Sequence, residues 1–257
     1  MINILFVGDI VGDGGCKIFK ETLAALKAKE KIDAVIVNGE NSDNRNGISK
    51  SSAEYLFSAG ADVITGGNHS FRNNDILEMM DSEEALLRPE NYSKKASGHG
   101  VCIIDKLSYK IMVLNLAGRI YMDPAEDPFS TAKNIISKHS DCAVKIIDFH
   151  AEATSEKAAL AHYLKGSVSA VLGTHTHIPT ADAQIMEGGT AFITDVGMTG
   201  PRHSILGVEV ENIVQKFITG MPVRFHQAKG DCVFCGILLS VDEKTGKTAQ
   251  IKPINTI

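Results

Sequence analysis

Ile2-Asn3-Ile4-Leu5-Phe6-Val7-Gly8-Asp9 reads as a strand that stops abruptly at a glycine and a carboxylate. Apart from Asn3 its first six residues are apolar, without the alternation of a strand wetted on one face, which is the composition of a strand buried on both sides. The pattern recurs along the chain. Ala34 to Val37 leads to Gly39-Glu40-Asn41, Val63 to Thr65 to Gly66-Gly67-Asn68-His69, Val144 to Ile147 to Phe149-His150, and Ala170 to Leu172 to Gly173-Thr174-His175-Thr176-His177. Ile111 to Leu116 is a further run of this kind. Between them, Cys16 to Lys29, Ser51 to Ala59 and Ser155 to Leu164 carry helical spacing, the last with Ser155 placed as its cap before Glu156. Strands alternating with helices predict an α/β fold, and right-handed crossovers predict a largely parallel sheet. Ala191 to Thr194, Cys232 to Val241 and Lys247 to Ile254 read as hairpin strands, the last two joined at Glu243-Lys244-Thr245-Gly246. They predict a second sheet packed on the first. No repeat, low-complexity tract or Pro/Ser-rich linker divides the chain, so residues 1–257 are expected to form a single domain.

The strand endings hold the chemistry. Parallel strands present their carboxyl ends at one crevice, so the five endings should converge, with glycines beside them allowing close backbone approach. An Asp or Asn after a strand ordinarily makes a turn, and a lone histidine is ordinarily a hydrogen-bonded bystander. Two carboxylates, two amides and four histidines at one sheet edge are not explained that way. Asp9, Glu40, Asn41, Asn68, His150, His175 and His177 form the candidate metal-ligand set. His175 and His177 are two apart in what should be extended chain, which would point both imidazoles the same way, one for each of two ions. Paired ions in hydrolytic sites share an anionic bridge, and Glu40 is the natural one. Nitrogen and oxygen donors without thiolate favour iron or manganese, with zinc, cobalt or magnesium as further candidates for the two divalent metal ions.

Charge accounting points to the substrate. Two divalent ions bring four positive charges, Asp9 and Glu40 return two, and the other donors are neutral. A hydroxide and an anionic phosphoryl group would balance that excess, which makes phosphate ester hydrolysis the leading reaction class. The chain as a whole has a formal charge of -5 and a pI near 6.0, too acidic for sequence-independent binding to duplex nucleic acid. Five cysteines without a disulfide spacing, and no signal-like or membrane-spanning segment, predict a cytoplasmic protein with no membrane partner. Cys232 and Cys235 lie three apart in a strand, facing opposite sides, and so are not a zinc pair. A homo-oligomer is left open.

The ordered motifs resemble those of the calcineurin-like metallophosphoesterases: Asp-x-His, Gly-Asp, Gly-Asn-His, a lone His, and Gly-His-x-His. Three departures are themselves a signature. Asp9-Ile10-Val11 lacks the first histidine, Gly39-Glu40 has Glu where Asp is usual, and Gly173-Thr174-His175-Thr176-His177 carries an extra threonine. With Phe149-His150-Ala151-Glu152 and Thr194-Asp195-Val196-Gly197-Met198-Thr199-Gly200-Pro201, the chain is similar to the YmdB-type branch of cyclic-nucleotide phosphodiesterases. That resemblance implies a four-layer sandwich, two mixed β-sheets flanked by helices, acting on 2',3'-cyclic nucleotides or related small diesters. It implies that Asp9, Glu40, Asn41 and His177 hold one ion, that Glu40 also reaches a second held by Asn68, His150 and His175, and that His69 is the proton donor to the leaving oxygen.

Two other functions fit the same motifs: a phosphomonoesterase or nucleotidase on the same metal pair, and a regulatory protein whose metal site is structural. Gly12-Asp13-Gly14-Gly15 and Gly246-Lys247-Thr248 lack the spacing of a nucleotide-binding loop. Arg202 and His203, after Gly200-Pro201, could approach a substrate phosphate, and Arg119 to Phe129 is a long loop that could border the site.

Overall fold

The computed structural model describes residues 1–256. In chain order the elements are β1 Ile2–Val7, β2 Asp9–Ile10, α1 Gly12–Lys29, β3 Ala34–Asn38, α2 Lys50–Ala59, β4 Val63–Thr65, α3 Leu77–Ser82, β5 Val101–Asp105, β6 Lys110–Ala117 and α4 Pro128–Lys138. They continue with β7 Val144–His150, α5 Thr154–Leu164, β8 Ala170–Thr174, β9 Gln184–Ile185, β10 Ala191–Ile193, β11 Met198–Pro201, α6 Val210–Thr219, β12 Cys232–Val241 and β13 Thr248–Thr256.

Two mixed sheets result. The first runs β2-β11-β12-β1-β3-β4, with β13 also paired to β12; the second runs β5-β6-β7-β8-β10-β9. β1 explains why both must exist. Ile2, Ile4 and Phe6 point into a core shared with Ile111, Val113, Val144, Ile146 and Leu172 of the second sheet. Leu5 and Val7 point the other way, against Phe19 and Leu23 of α1 and Leu56 of α2. Ile147, Phe149 and Val171 likewise turn away from the shared core onto Leu160, Ala161 and Leu164 of α5. Each side chain so buried stabilises the fold by about 1.5–3 kcal/mol. Helices, sheet, sheet and helices form the four-layer sandwich, and no helix among the described residues is long and apolar enough to cross a membrane.

Three local expectations are corrected. The first sheet is not largely parallel, since β1–β12, β11–β12 and β12–β13 are antiparallel, whereas the second keeps a parallel centre, β6-β7-β8-β10, with antiparallel strands only at its edges, β5 and β9. α1 starts at Gly12 rather than Cys16, because Gly12 adopts φ +59°, a conformation open to glycine, and turns the chain straight from β2 into the helix. Ser155 is not a cap. It lies inside α5, whose first turn follows Ala153 with no side-chain cap bond. The caps that do form are Ser49, which exchanges bonds with Ser52 at the start of α2, and Asp127, which accepts from the Phe129 and Ser130 amides before Pro128.

Candidate metal centre

The five strand endings meet in one place, but they arrive from two sheets rather than one. Asp9, Glu40, Asn41, Asn68 and His69 follow β1, β3 and β4 of the first sheet, while His150, His175 and His177 end or follow β7 and β8 of the second. The shared core aligns these ends at a common rim. Gly67 is indispensable there: a Cβ on it would collide with Glu40 Oε2 and with the His150 ring.

All seven predicted ligands and His69 lie in one cluster. His150 Nε2 sits 3.0 Å from Asn68 Oδ1, 3.1 Å from His175 Nδ1 and 3.3 Å from Glu40 Oε2. Three acceptor-capable atoms thus surround one ring nitrogen, and a single proton can satisfy only one of them. Donors about 2.1 Å from one ion in octahedral array are about 3 Å apart, so this spacing fits the edges of a coordination shell. Asp9 Oδ1 is 3.8 Å from both His150 Nδ1 and His177 Nε2, and it is a buried carboxylate oxygen with no hydrogen-bond partner. Leaving such an atom bare is costly unless a cation meets it. These donors therefore fit divalent cations.

Asn41 stands between the carboxylate and the last histidine. Its Nδ2 donates to Glu40 Oε1 at 2.8 Å and lies 3.3 Å from His177 Nε2, while its Oδ1 is 2.8 Å from His69 Nδ1. A half-turn of the amide turns Oδ1 towards the cluster and Nδ2 towards His69.

The protonation pattern is that of a site built around positive charge. Burial alone would push the His150 imidazole down, yet Glu40, and then Asp9 and Asp148, raise it to about 9. Burial and the neighbouring His150 depress His175 to about 3. Two rings whose nitrogens are 3.1 Å apart do not share two charges. Burial opposes ionisation of Glu40, but His150 and His69 outweigh it and hold the carboxyl well below its usual range. At Asp9 burial wins and raises the carboxyl, with His177 and His150 opposing.

Outer partners orient the cluster. Thr174 Oγ1 accepts from His150 Nδ1 at 2.9 Å and donates to the buried Asp148 at 2.7 Å, which leaves His150 Nε2 free as a donor to a cation. Asp148 also accepts from Asn38 and Thr65, and burial raises its carboxyl to about 6. Glu152 Oε2 is 3.1 Å from His175 Nε2, and the Leu206 carbonyl is 3.1 Å from His177 Nδ1.

The His175-Thr176-His177 segment is not extended chain, contrary to the expectation of two parallel imidazoles. His175 has φ +100° and His177 φ +66°, so the backbone coils through the left-handed region at both histidines. A buried ion pair holds it there. Asp195 Oδ2 accepts from the Thr176 amide at 3.0 Å, from Thr176 Oγ1 at 2.8 Å and from Lys157 Nζ at 2.8 Å. Asp195 Oδ1 accepts from the Gly197 amide at 2.8 Å.

A cavity of about 620 Å³ opens on the cluster. Glu40, Asn41, His69, His175 and His177 form its floor, and Arg45, Arg72, Leu206, Val208 and Phe225 are among its walls. Among the predicted additions, Arg202 lines a separate depression with Lys17 and Asp231, and neither His203 nor the 119–129 stretch lines the cavity.

A family model described as YmdB-like protein matches residues 5–254. The chain belongs to the YmdB-like family. One relative, the 2',3'-cyclic-nucleotide 2'-phosphodiesterase of Bacillus subtilis (strain 168), is 42% identical over 98% of this chain and 96% of its own length. The crystal structure of a novel phosphatase from Mycoplasma pneumoniae superposes with a TM-score of 0.93 at 36% identity, covering 99% of this chain and 93% of that one. Haemophilus influenzae NAD nucleotidase shares the fold alone, with a TM-score of 0.62 at 12% identity over 100% of this chain and 56% of that one. Within the YmdB-like frame, motif reading missed Thr174, Asp148, Lys157 and Asp195 as the residues that set the histidines. Asp195 and Thr174 stood inside quoted motifs, and their neighbours there were a usable signal. Lys157 carried none, since a lysine on a helix is ordinarily solvated.

Proposed function

We propose that this YmdB-like chain is a phosphodiesterase acting on nucleoside 2',3'-cyclic phosphates at a pair of divalent cations, iron or manganese. Asp9, Glu40, Asn41 and His177 would hold one cation, and Glu40, Asn68, His150 and His175 the other. The observation that carries this is the bare, fully buried Asp9 Oδ1 beside the donors crowded around His150 Nε2. The names of the 42%-identical Bacillus relative and the 36%-identical Mycoplasma structure support the reaction class. When bound, such cations supply positive charge to phosphoryl oxygens and acidify water.

The chain's own residues do the rest. Glu40 and Asp9 bring the only carboxylates of the ligand set, keeping the centre cationic towards an anionic diester. With Asn41 Oδ1 turned towards the cluster, Nδ2 donates to His69 Nδ1 and leaves the proton on Nε2. His69 is 19% exposed at the side chain and lines the cavity, so that proton can pass to the leaving ribose oxygen. The His69 amide donates to Glu40 Oε2 at 3.0 Å, which ties the proton donor to the carboxylate. Five free thiols and no disulfide among the described residues support placement in the reducing cytoplasm.

The test is product analysis. Metal-loaded protein is incubated with adenosine 2',3'-cyclic phosphate, and 2'-AMP, 3'-AMP and adenosine are separated. Accumulation of 3'-AMP alone, lost on chelation and restored by manganese or iron, is the expected result. Release of adenosine, or turnover of 3'-AMP faster than of the cyclic diester, identifies a monoesterase instead. Absence of any metal-dependent turnover overturns the enzymatic function.

A further inference from the structure

In this net-acidic chain, the cavity over the metal centre has two unlike walls. The loops after β3 and β4 contribute Arg45 and Arg72, while the segment between β11 and β12 contributes Leu206, Val208 and Phe225. In the first sheet β3 and β4 lie on one side of β1 and β11 on the other, so the cationic and apolar walls flank the strand that delivers Asp9.

The cationic wall is built, not incidental. Asn73 Nδ2 donates to the carbonyls of Asn46 at 3.2 Å and Ile48 at 3.1 Å, clamping the two arginine-bearing loops together. Gly47 at φ +86° lets them touch, since a Cβ there would stand 2.8 Å from Arg72 Cβ. The Arg72 amide donates to the His69 carbonyl at 3.1 Å, which fixes Arg72 one turn beyond the proposed proton donor. Arg45 is 3.5 Å from Asp43 of its own loop, whereas Arg72 has no acidic partner among the described residues. Arg72 is exposed and Glu152 is the other carboxylate besides Glu40 among the cavity-lining residues, so the Arg72 guanidinium is free to meet a second anionic group that enters above the floor. On the opposite wall, Phe225 is 45% exposed and one ring face is held by Lys216 Nζ, 4.8 Å from the centroid. Phe225 lines the cavity, and an exposed aromatic ring there offers a base something to stack on.

Ribose chemistry joins the two walls. In a nucleoside 2',3'-cyclic phosphate the base on C1' and the 5'-carbon on C4' both leave the ribose face away from the cyclic phosphate, but from opposite ends of the ring. With the phosphate at the metal centre and the base on Phe225, the 5'-carbon points to the arginine wall. We infer that the cavity has a second anion subsite at Arg72 and Arg45 that takes a 5'-phosphate, so that the preferred substrates are 2',3'-cyclic phosphates carrying a further phosphate on the 5' side. The inference rests on the phosphodiesterase function proposed above and adds its substrate class. A free 5'-phosphorylated nucleotide and the 3' end of a short oligoribonucleotide both present that group.

The experiment compares kcat/KM for adenosine 2',3'-cyclic phosphate, its 5'-phosphorylated form and the dinucleotide ApA ending in a 2',3'-cyclic phosphate. Wild type is expected to prefer the 5'-phosphorylated substrates by about tenfold, the value of one good charge-assisted contact. Arg72→Gln should collapse that ratio towards one, whereas Phe225→Ala should weaken all three substrates by about five- to a hundredfold and leave the ratio standing. A stronger effect with the nucleotide names the free nucleotide as the source, and an equal effect with ApA names the oligonucleotide end. Calorimetry of 3'-AMP against adenosine 3',5'-bisphosphate on metal-loaded protein reads the same subsite without turnover, so a failed diesterase assay leaves it tested. Equal affinity and equal kcat/KM with and without the 5'-phosphate, or an Arg72→Gln loss that is the same for both, overturns the subsite.

Discussion

Lys157→Met should be among the most damaging changes outside the ligand set. Lys157 Nζ and Asp195 Oδ2 are 2.8 Å apart and both side chains are fully buried. Removing one partner of a buried pair typically costs about 3–5 kcal/mol, because the other charge is left in a medium that cannot solvate it. Asp195 would keep its bonds from the Thr176 amide and hydroxyl and the Gly197 amide, so the lower end, about 3 kcal/mol, is the expected loss. For a chain of this size that is a fall in Tm of about 6–12 °C. The same change should reach the metal centre, since Asp195 pins Thr176 between two histidines held at positive φ. The assay is urea unfolding of metal-loaded wild type and variant with m compared, alongside metal content. A loss under 1 kcal/mol with native metal content would refute the role given to this pair. A stability loss of the expected size with unchanged metal content would confine the pair to the fold.

His69→Ala is expected to retain both metals and to lower kcat/KM on a cyclic nucleotide by about 10² to 10⁴ while affecting an activated aryl diester far less, because a phenolate leaves without a proton; equal losses on both substrates would return His69 to positioning or ligation. Gly67→Ala should fold yet bind metal poorly, since the new methyl occupies the space of Glu40 Oε2 and the His150 ring, and elemental analysis showing full occupancy would contradict that crowding. Burial raises Cys16 to about 12 and Cys102 and Cys235 to about 11, so all three thiols stay protonated at pH 8. Because the folded values lie above the ordinary thiol value of 9.0, their contribution to stability is full well below pH 9 and is lost as pH rises through 9 towards 11 to 12. Ellman titration at pH 8 should leave these three unreacted until denaturant is added, and stability should show no slope from them between pH 6 and about 7.5 but should begin to fall above about pH 8.

The residues that cluster at the candidate metal centre could be singled out because each ends an apolar run or follows a strand-ending glycine within four residues, a local signal that needs no knowledge of the fold. Which sheet each strand joins was not. β1 and β7 are both buried on two faces and look alike as composition, so only the burial of Ile2, Ile4 and Phe6 against Val144 and Ile146 reveals that two sheets share the centre. The histidine turn was misjudged as extended because the force that coils it, the Asp195–Lys157 pair, joins residues 38 apart. Ser155 had the residue type of a cap without the position, as the chain enters α5 one residue earlier at Thr154. Arg45 and Arg72 carried no signal at all. Exposed arginines on loops are ordinary until a cavity is found beside them.

The neighbours of β1 have a consequence for how the molecule is made. Its partners are β3, which follows closely, and β12, which pairs from Ile2 with Val241 to Val7 with Gly236. At about 5–20 residues per second, β1 leaves the ribosome roughly ten to fifty seconds before β12 exists. The second sheet, by contrast, draws all its strands from residues 101–193 and can assemble while the rest is still being synthesised. Until β12 arrives, an apolar strand with one open edge waits in a half-finished sheet, which is the state most prone to pair with another nascent chain. Chaperone demand and aggregation during expression should therefore respond most sharply to changes in residues 232–241, although none of them belongs to the candidate ligand set.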